Sequence, residues 1–200
     1  MGSLTSIILA AGKSSRMRES KPLLNFGETN LINYQIKSFN NPFVDEIIVV
    51  TGSKSELVKE SINSKNIKII DNPEFNDGKT TSIKKGISAI EKTDNDIILI
   101  AVDQPRSKDL IEKVSKFHIE HPGQTKITFP YFEGKGGHPI IFSNNFYSSL
   151  LEISEENEGI RDIIKNNQSY ISKYKTRDNT ALVDLNTKED YLNHISKFNL

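Results

Sequence analysis

A short apolar stretch near the N-terminus, SIILA at residues 6–10, and its repetition further along decide the fold of this 200-residue chain. Similar stretches are EIIVV at 46–50, NIKII at 66–70 and DIILIAV at 96–102. Near-continuous β-branched runs are typical of strands buried on both faces of a parallel sheet. The segments between them carry apolar residues at helical spacing, at 30–39, 82–90 and 107–117. This alternation over residues 1–120 predicts right-handed βαβ units and an open α/β sheet.

The second part of the chain follows a different pattern. The apolar segments 126–132 and 138–142 flank the turn EGKGG at 133–137, which predicts a hairpin-like excursion. Two helical stretches follow, around 146–153 and 160–165, and then a short strand is predicted at 181–185 (ALVDL). A last helix is expected from Thr187, with Asp190 completing a capping box. Since the chain shows no internal repeat or low-complexity linker, we expect one domain.

Composition excludes several classes of protein. Lys plus Arg and Asp plus Glu both number 26, so the formal charge is zero and a broadly cationic nucleic-acid binder is disfavoured. The chain has no cysteine, which excludes disulfides, a thiolate zinc site and a cysteine nucleophile. No window approaches about 18 continuous apolar residues, and no basic leader precedes an apolar run, so we expect a protein that stays in the cytoplasm, away from membranes.

The loop after the first predicted strand has the features of an anion-binding loop. It reads LAAGKSSRMRESKPLL at residues 9–24, and its small residues at 10–12 allow backbone N–H groups to approach a polyphosphate. Its charged residues are Lys13, Arg16, Arg18, Lys21 and a single acid, Glu19. A P-loop is excluded because its leading glycine would fall on Ile7, and the loop has too few glycines for a Rossmann fingerprint. A solvated basic loop remains the alternative.

Asp103 is the strongest candidate for a catalytic or metal-binding carboxylate. It follows directly on the buried apolar run 96–102, where a carboxylate is costly unless a cation or strong hydrogen bonds compensate it. Ligands of open α/β sheets bind at the carboxyl ends of the strands, which is where Asp103 would lie. The alternative is a helix-capping aspartate ahead of Ser107.

The ordered motif L-A-A-G-x-S-x-R-M followed by K-P-L-L resembles the signature of the MobA-like nucleotidyltransferases of molybdenum-cofactor synthesis. The cytidylyltransferase branch is the more similar, because that branch has LAAG where the guanylyltransferase branch tends to have LAGG. Further matching segments are VVTG at 49–52, N-P-x-F-x-x-G-x-x-x-S at 72–82, DQP at 103–105, GGHP at 136–139, E-G-x-R at 158–161 and the segment from Asp184 to Tyr191. Four positions depart from the family pattern: Arg18 replaces Gly, Asn157 and Asn186 each replace Asp, and Lys188 replaces Pro.

The resemblance implies a single-domain, Rossmann-like, three-layer α/β/α nucleotidyltransferase fold with a mostly parallel sheet. Residues 1–120 would form the NTP-binding half, and residues 121–200 the acceptor-binding half. The implied nucleotide-binding residues are Leu9, Ala10, Ala11, Gly12, Lys13, Arg16, Lys21, Thr51, Asn72, Gly78 and Ser82. Arg16, Lys21 and Asp103 would be catalytic, and Asp103 and Asp184 would hold Mg²⁺, with Asn186 as a possible neutral ligand.

His138 and Arg161 would bind the acceptor, and a histidine pKa near neutrality would permit proton transfer there. Three of these residues could instead have purely structural roles: Ser82 as an N-cap, His138 as a buried structural ring and Thr51 as part of a turn at the end of a strand.

The implied reaction is Mg²⁺-dependent transfer of CMP from CTP to molybdopterin, with release of pyrophosphate. A molybdoenzyme or its chaperone would be the protein partner. Two alternatives remain open: a nucleotidyltransferase acting with another NTP or on a sugar phosphate or other phosphorylated small molecule, and a non-catalytic NTP-binding regulator. A nucleic-acid-binding module is poorly supported, because the basic residues concentrate in one glycine loop rather than in an aromatic-interleaved stripe.

Overall fold

The fold was analysed in a computed structural model, which describes residues 3–198 except 15, 16, 18, 122, 124 and 125. The strands are β1 (Leu4–Ala10), β2 (Asn25–Phe26), β3 (Thr29–Asn30), β4 (Val44–Thr51), β5 (Lys68–Asp71), β6 (Asp96–Ala101), β7 (Ile127–Phe132), β8 (Lys135–Gly136), β9 (Ile140–Phe142) and β10 (Ile171–Lys175). The α-helices are α1 (Leu31–Phe39), α2 (Ser55–Ser61), α3 (Lys79–Ser88), α4 (Lys108–Glu120), α5 (Tyr147–Glu152), α6 (Ile160–Asn166) and α7 (Lys188–His194).

The main sheet is mostly parallel, as the apolar runs predict. Its order is β10-β7-β9-β6-β1-β4-β5, with β8 paired to β7. Strand β1 lies in the middle, parallel to β4 on one side and to β6 on the other. Strand β9 is antiparallel to both of its neighbours, β6 and β7, and forms the predicted hairpin-like excursion with β7. The sheet is therefore continuous from β5 to β10.

Two apolar cores, one on each face of the sheet, give the three-layer α/β/α architecture. On one face Ile32 of α1 and Ile111 of α4 pack with Ile8 of β1. On the other face Ile87 of α3 and Leu150 of α5 pack with neighbouring side chains of the strands. Side chains of β1 thus contribute to both cores, which is why this strand is apolar at every position but two. No helix among the described residues is long and apolar enough to cross a membrane.

Helix α3 lies unusually close to the sheet. A Cβ atom at Gly86 would come within 2.6 Å of Ile7 Cγ2, so only glycine allows this approach. The helix begins at Lys79 rather than at 82, with Gly78 at its N-cap. Ser82 is therefore inside the helix, and the N-cap alternative for it is wrong.

The predicted strand at 181–185 is wrong. Residues Asn179–Leu182 form a 3-10 turn. The side chains of Ala181, Val183 and Leu185 are buried in the core, but these residues do not pair with a strand of the sheet. The last strand is instead β10, whose sequence ISKYK is that of a lysine-bearing edge strand without a continuous apolar run. Helix α2 was likewise not predicted, because Val58 is its one buried residue. The closing helix is confirmed: Thr187 and Asp190 form the expected capping box at the start of α7.

Candidate active site

A cavity of about 290 Å³ opens where β1 and β6 end. Strand β1 connects onward to β4 on one side of it, whereas β6 lies on the other, so this is the point at which the strand order reverses. The lining residues are Leu9, Ala10, Ala11, Gly12, Ser14, Lys21, Pro22, Phe75, Gly78, Lys79, Ser82, Ala101, Val102 and Asp103. We call this the first cavity. Seven residues that the sequence assigns to the nucleotide line it, and Asp103 does as well.

The loop after β1 is held in place by backbone contacts. Ser53 N donates to Ala11 O at 3.0 Å, and Lys21 N donates to Ser14 Oγ at 3.0 Å. A Cβ atom at Gly12 would meet nothing within 4 Å, so the backbone there faces open space. Lys13 is exposed and is not among the lining residues. Arg16 lies outside the described residues, so its catalytic role stays a prediction.

The turn that carries Asp103 is held by a buried glutamine. Gln35 Nε2 donates to the carbonyl oxygens of Ala101 (3.2 Å), Val102 (3.4 Å) and Gln104 (2.9 Å). From the opposite side, Leu185 N donates to Asp103 O at 2.7 Å. The helix that follows is capped by Ser107, which accepts from Leu110 N, so the capping alternative for Asp103 is wrong.

Lys21, Asp103 and Asn186 meet although they are far apart in sequence. Lys21 Nζ lies 2.7 Å from Asp103 Oδ2 and 3.3 Å from Asn186 Oδ1. The two charged side chains are only 12% and 24% exposed, so water screens this ion pair weakly. Because Leu185 is anchored in the core, the extended segment presents Asp184 and Asn186 on its other side.

The oxygens gathered here fit a magnesium ion bound together with a nucleotide. Mg²⁺ is usually held by one or two carboxylates plus substrate phosphates rather than by an all-protein cage. Asp103 already has a cationic partner in Lys21, and Asn186 adds a neutral oxygen. No group of three or more His, Cys, Asp or Glu able to hold a metal occurs in the part of the chain that the structure describes.

A second, larger cavity of about 610 Å³ adjoins the first, and Lys79 lines both. It is bounded by both predicted acceptor residues, His138 and Arg161, and by Asp184. The charges on its wall include two further acids, Glu155 and Glu158. Glu155 Oε1 accepts from Thr80 N at 2.7 Å, which ties the loop after α5 to the start of α3. Lys79 is thus shared by a cavity at the loop after β1 and a larger cavity beside His138 and Arg161.

His138 differs from its sequence-based interpretation. Burial, together with the positive charges of Arg106 and Lys79, lowers the pKa of its imidazole to about 3. Its ring is therefore neutral at physiological pH, and the expected titration near neutrality is wrong. His138 still lines the second cavity, where a neutral ring can form a hydrogen bond.

Arg106 is a buried cation that the sequence did not single out. Its Nε donates to His138 O at 2.8 Å, and its Nη1 donates to Pro105 O at 2.7 Å and to Val183 O at 2.6 Å. Burial lowers the pKa of Arg106 to about 10, and nearby Asp184, Asp178 and Asp103 oppose this effect, so it remains charged. It joins the three segments that carry Asp103, His138 and Asp184.

Two predicted nucleotide contacts lie away from the first cavity. Thr51 is fully buried, and its Oγ1 lies 2.9 Å from Ser55 Oγ. Asn72 is also fully buried, and its amide donates to Thr81 Oγ1 and to Ser82 Oγ, each at 2.9 Å. This geometry gives both a supporting role, Asn72 by fixing Ser82, which does line the cavity. Two cavity-lining residues, Lys79 and Gln104, were not predicted from the sequence, although they directly follow the predicted site residues Gly78 and Asp103.

Comparison with known proteins agrees with this geometry. The model of the family described as "MobA-like NTP transferase domain" matches residues 6–172. The chain belongs to this family. Among curated proteins, the molybdenum cofactor cytidylyltransferase of Escherichia coli strain K12 is 32% identical over 145 residues, covering 72% of this chain and 71% of that protein.

Solved structures support the fold. A nucleotidyl transferase from Methanothermobacter superposes with a TM-score of 0.82 at 20% identity, covering 98% of this chain and 99% of that one. Rv0371C of Mycobacterium tuberculosis, solved in complex with manganese, gives a TM-score of 0.80 at 17% identity, covering 98% of each chain. The single-domain α/β fold with a mostly parallel sheet is thus that of the nucleotidyltransferases.

Proposed function

We propose that this protein transfers CMP from CTP to molybdopterin and releases pyrophosphate in a Mg²⁺-dependent reaction. The observation that carries the proposal is a pair of cavities that share Lys79, the first lined also by Asp103 and the second by Asp184. The choice of CTP and molybdopterin is supported by the LAAG segment and by the identity to the E. coli cytidylyltransferase. A location in the cytoplasm is part of the same proposal.

The reaction needs no covalent enzyme intermediate. A phosphate oxygen of the acceptor forms a bond to the α-phosphorus of CTP, the bond from that phosphorus to the bridging oxygen breaks, and pyrophosphate leaves with the electron pair. Catalysis then consists of positioning and charge neutralisation. The loop at 10–14 would cradle the triphosphate, and Lys21, once released from Asp103, would neutralise the leaving pyrophosphate. Asp103, Asp184 and Asn186 would hold Mg²⁺, which when bound neutralises phosphate charge.

The direct test is a matrix of the four NTPs against molybdopterin and several sugar phosphates, with Mg²⁺ present and pyrophosphate as the readout. We expect turnover with CTP and molybdopterin. Turnover only with a sugar phosphate would show that the acceptor is a sugar phosphate and not molybdopterin. NTP binding without pyrophosphate release under every condition would instead identify a non-catalytic regulator.

Replacing Asp103 by Asn tests the site within that assay. The change keeps the shape of the side chain but removes the charge that holds the metal, so we expect kcat to fall at least about 100-fold. Asp109→Asn on the exposed face of α4 is the matched control, and we expect near-normal activity from it. If Asp103→Asn retains most of the activity, Asp103 has no part in the mechanism.

A further inference from the structure

Every polar atom of His138 but one, in the backbone and in the ring, has a hydrogen-bond partner among the described residues. Its backbone N donates to Ala181 O at 3.2 Å, and its carbonyl oxygen accepts from Arg106 Nε at 2.8 Å. On the ring, Nδ1 lies 3.2 Å from Gln104 Nε2. Only Nε2 is left for a ligand.

Gln104 determines which ring nitrogen carries the proton. Ala101 N donates to Gln104 Oε1 at 3.2 Å, and only the oxygen of a carboxamide can accept this bond. The NH₂ group of Gln104 must therefore face His138. An NH₂ group can only donate, so Nδ1 must accept, and the proton of a neutral ring lies on Nε2.

The Nε2 atom belongs to a residue that lines the second cavity, and it is accessible to solvent. His138 is half-buried and lines that cavity, and among the described residues Nε2 has no hydrogen-bond partner. It is also absent from the polar atoms that are sealed from solvent without a partner. The lowered pKa of the ring, about 3, agrees with a neutral imidazole that keeps this single N–H.

We propose that Gln104 holds His138 in the Nε2–H tautomer, and that this N–H is a specificity-determining donor to an oxygen atom of the second substrate. The oxygen would belong to a phosphate or a carbonyl group, since both accept hydrogen bonds. A substrate that presents only an N–H at this position would be rejected, because two donors would face each other. The substrate part of this inference rests on the proposed function, whereas the tautomer does not.

The tautomer can be read directly from the protein alone. In ¹⁵N-histidine-labelled protein at pH 7, long-range ¹H–¹⁵N correlation distinguishes a protonated ring nitrogen from an unprotonated one. The chain has four histidines, so the His138→Leu variant assigns the signals. We expect an unprotonated Nδ1 and a protonated Nε2 at His138. A protonated Nδ1 would overturn the proposal.

Gln104→Glu reverses the hydrogen-bond pattern with little change of shape. One carboxylate oxygen still accepts from Ala101 N, but the other now needs a proton on Nδ1. We expect the ¹⁵N pattern to change, either to the Nδ1–H tautomer or to the doubly protonated ring. Gln168→Glu, the same chemical change at an exposed position, should leave the His138 signals unchanged. An unchanged pattern in Gln104→Glu would show that Gln104 does not control the tautomer.

Kinetics test the substrate part separately. In His138→Leu, we expect the KM for molybdopterin to rise about tenfold or more, the effect of one hydrogen bond to a ligand, with the KM for CTP nearly unchanged. Equal effects on both KM values would contradict a donor to the second substrate. If the expected tautomer is found but no acceptor turns over, the proposed function fails while the assignment of the ring stands.

Discussion

At the scale of single residues, Lys21 joins parts of the site that are far apart in sequence. It bridges Asp103 and Asn186, which come from segments 82 and 165 residues away along the chain. This ion pair compensates the charges of both Lys21 and Asp103, each of which would be costly to leave unpaired in a partly buried site. Under the proposed function, nucleotide phosphates would take Lys21 as their partner and Asp103 would be free to hold Mg²⁺.

Lys79 has a different position, on the boundary between the two cavities. Its side chain is exposed at the first turn of α3, and its charge acts on His138. The bond between nucleotide and acceptor would form near this boundary, where two phosphate groups approach each other. A cation there reduces their mutual repulsion.

Lys79→Met should therefore weaken the reaction without weakening the fold. We expect kcat/KM for the acceptor to fall about 10- to 100-fold, because an ion–phosphate contact is lost, with the thermal midpoint nearly unchanged. Lys84→Met in the same helix is the matched control, since Lys84 lines neither cavity. Steady-state kinetics with pyrophosphate release would measure the effect, and a variant with full activity would remove Lys79 from the site.

At the scale of elements, a strand is predictable from sequence when it is buried on both faces. The inner strands β1 and β6 and the second half of β4 satisfy this condition and are confirmed. Strand β5 is confirmed although it is a partly buried edge strand, because Ile69 and Ile70 make it apolar, whereas β10, the other edge strand, carries lysines and was missed. Asp103 could be located from its apolar strand alone. The meeting of Lys21 with Asn186 depends on tertiary contacts, so only the family resemblance placed residues 184–186 near the site.

Helix α4 is tied to the sheet by a buried histidine at the end opposite to the site. His118 Nδ1 lies 2.7 Å from Thr128 Oγ1 of β7, and its Nε2 lies 3.0 Å from Asp96 Oδ2 of β6. Burial lowers the pKa of His118 below its ordinary value of 6.5, and this outweighs the raising effect of Asp96. The folded protein therefore takes up this proton less readily than the unfolded chain does.

The stability contributed by this lowered pKa is present above about pH 6.5 and is lost as the pH falls below that value. We expect the free energy of unfolding to decrease on acidification by at most about 1.4 kcal/mol per pH unit from this group. Urea unfolding at pH 7.5 and 5.5 should show a smaller decrease for His118→Gln than for the wild type. The control is His121→Gln, an exposed histidine just after α4. Equal decreases for His118→Gln and the wild type would show that His118 does not contribute.

At the scale of the whole molecule, a formal charge of zero hides a local concentration of opposite charges. Lys21, Lys79 and Asp103 line the first cavity, while Asp184 lines the second together with Lys79. The second part of the chain supplies Asp184 and Asn186 to a site whose loop comes from the first. Because one sheet runs from β5 to β10 beneath both cavities, a ligand in either should stabilise the entire fold.

This continuity predicts how nucleotide affects unfolding. At a CTP concentration about 100 times its Kd, binding adds about 2.7 kcal/mol of stability. For a chain of this size that corresponds to a rise in Tm of about 5–10 °C. Calorimetry with CTP and Mg²⁺ should show one transition that moves as a whole. GTP at the same concentration should produce a smaller rise, since the proposed nucleotide substrate is CTP.

Removing the metal provides the control for that experiment. With EDTA in place of Mg²⁺, Asp103 keeps its ion pair with Lys21, which then remains unavailable to the triphosphate, so we expect most of the CTP-induced rise to disappear. In Asp103→Asn, Lys21 is no longer held by a carboxylate, so a metal-independent part of the rise should persist. Two separate transitions, of which only one responds to CTP, would contradict a single cooperative sheet. A rise of the same size with and without Mg²⁺ would contradict the metal site at Asp103.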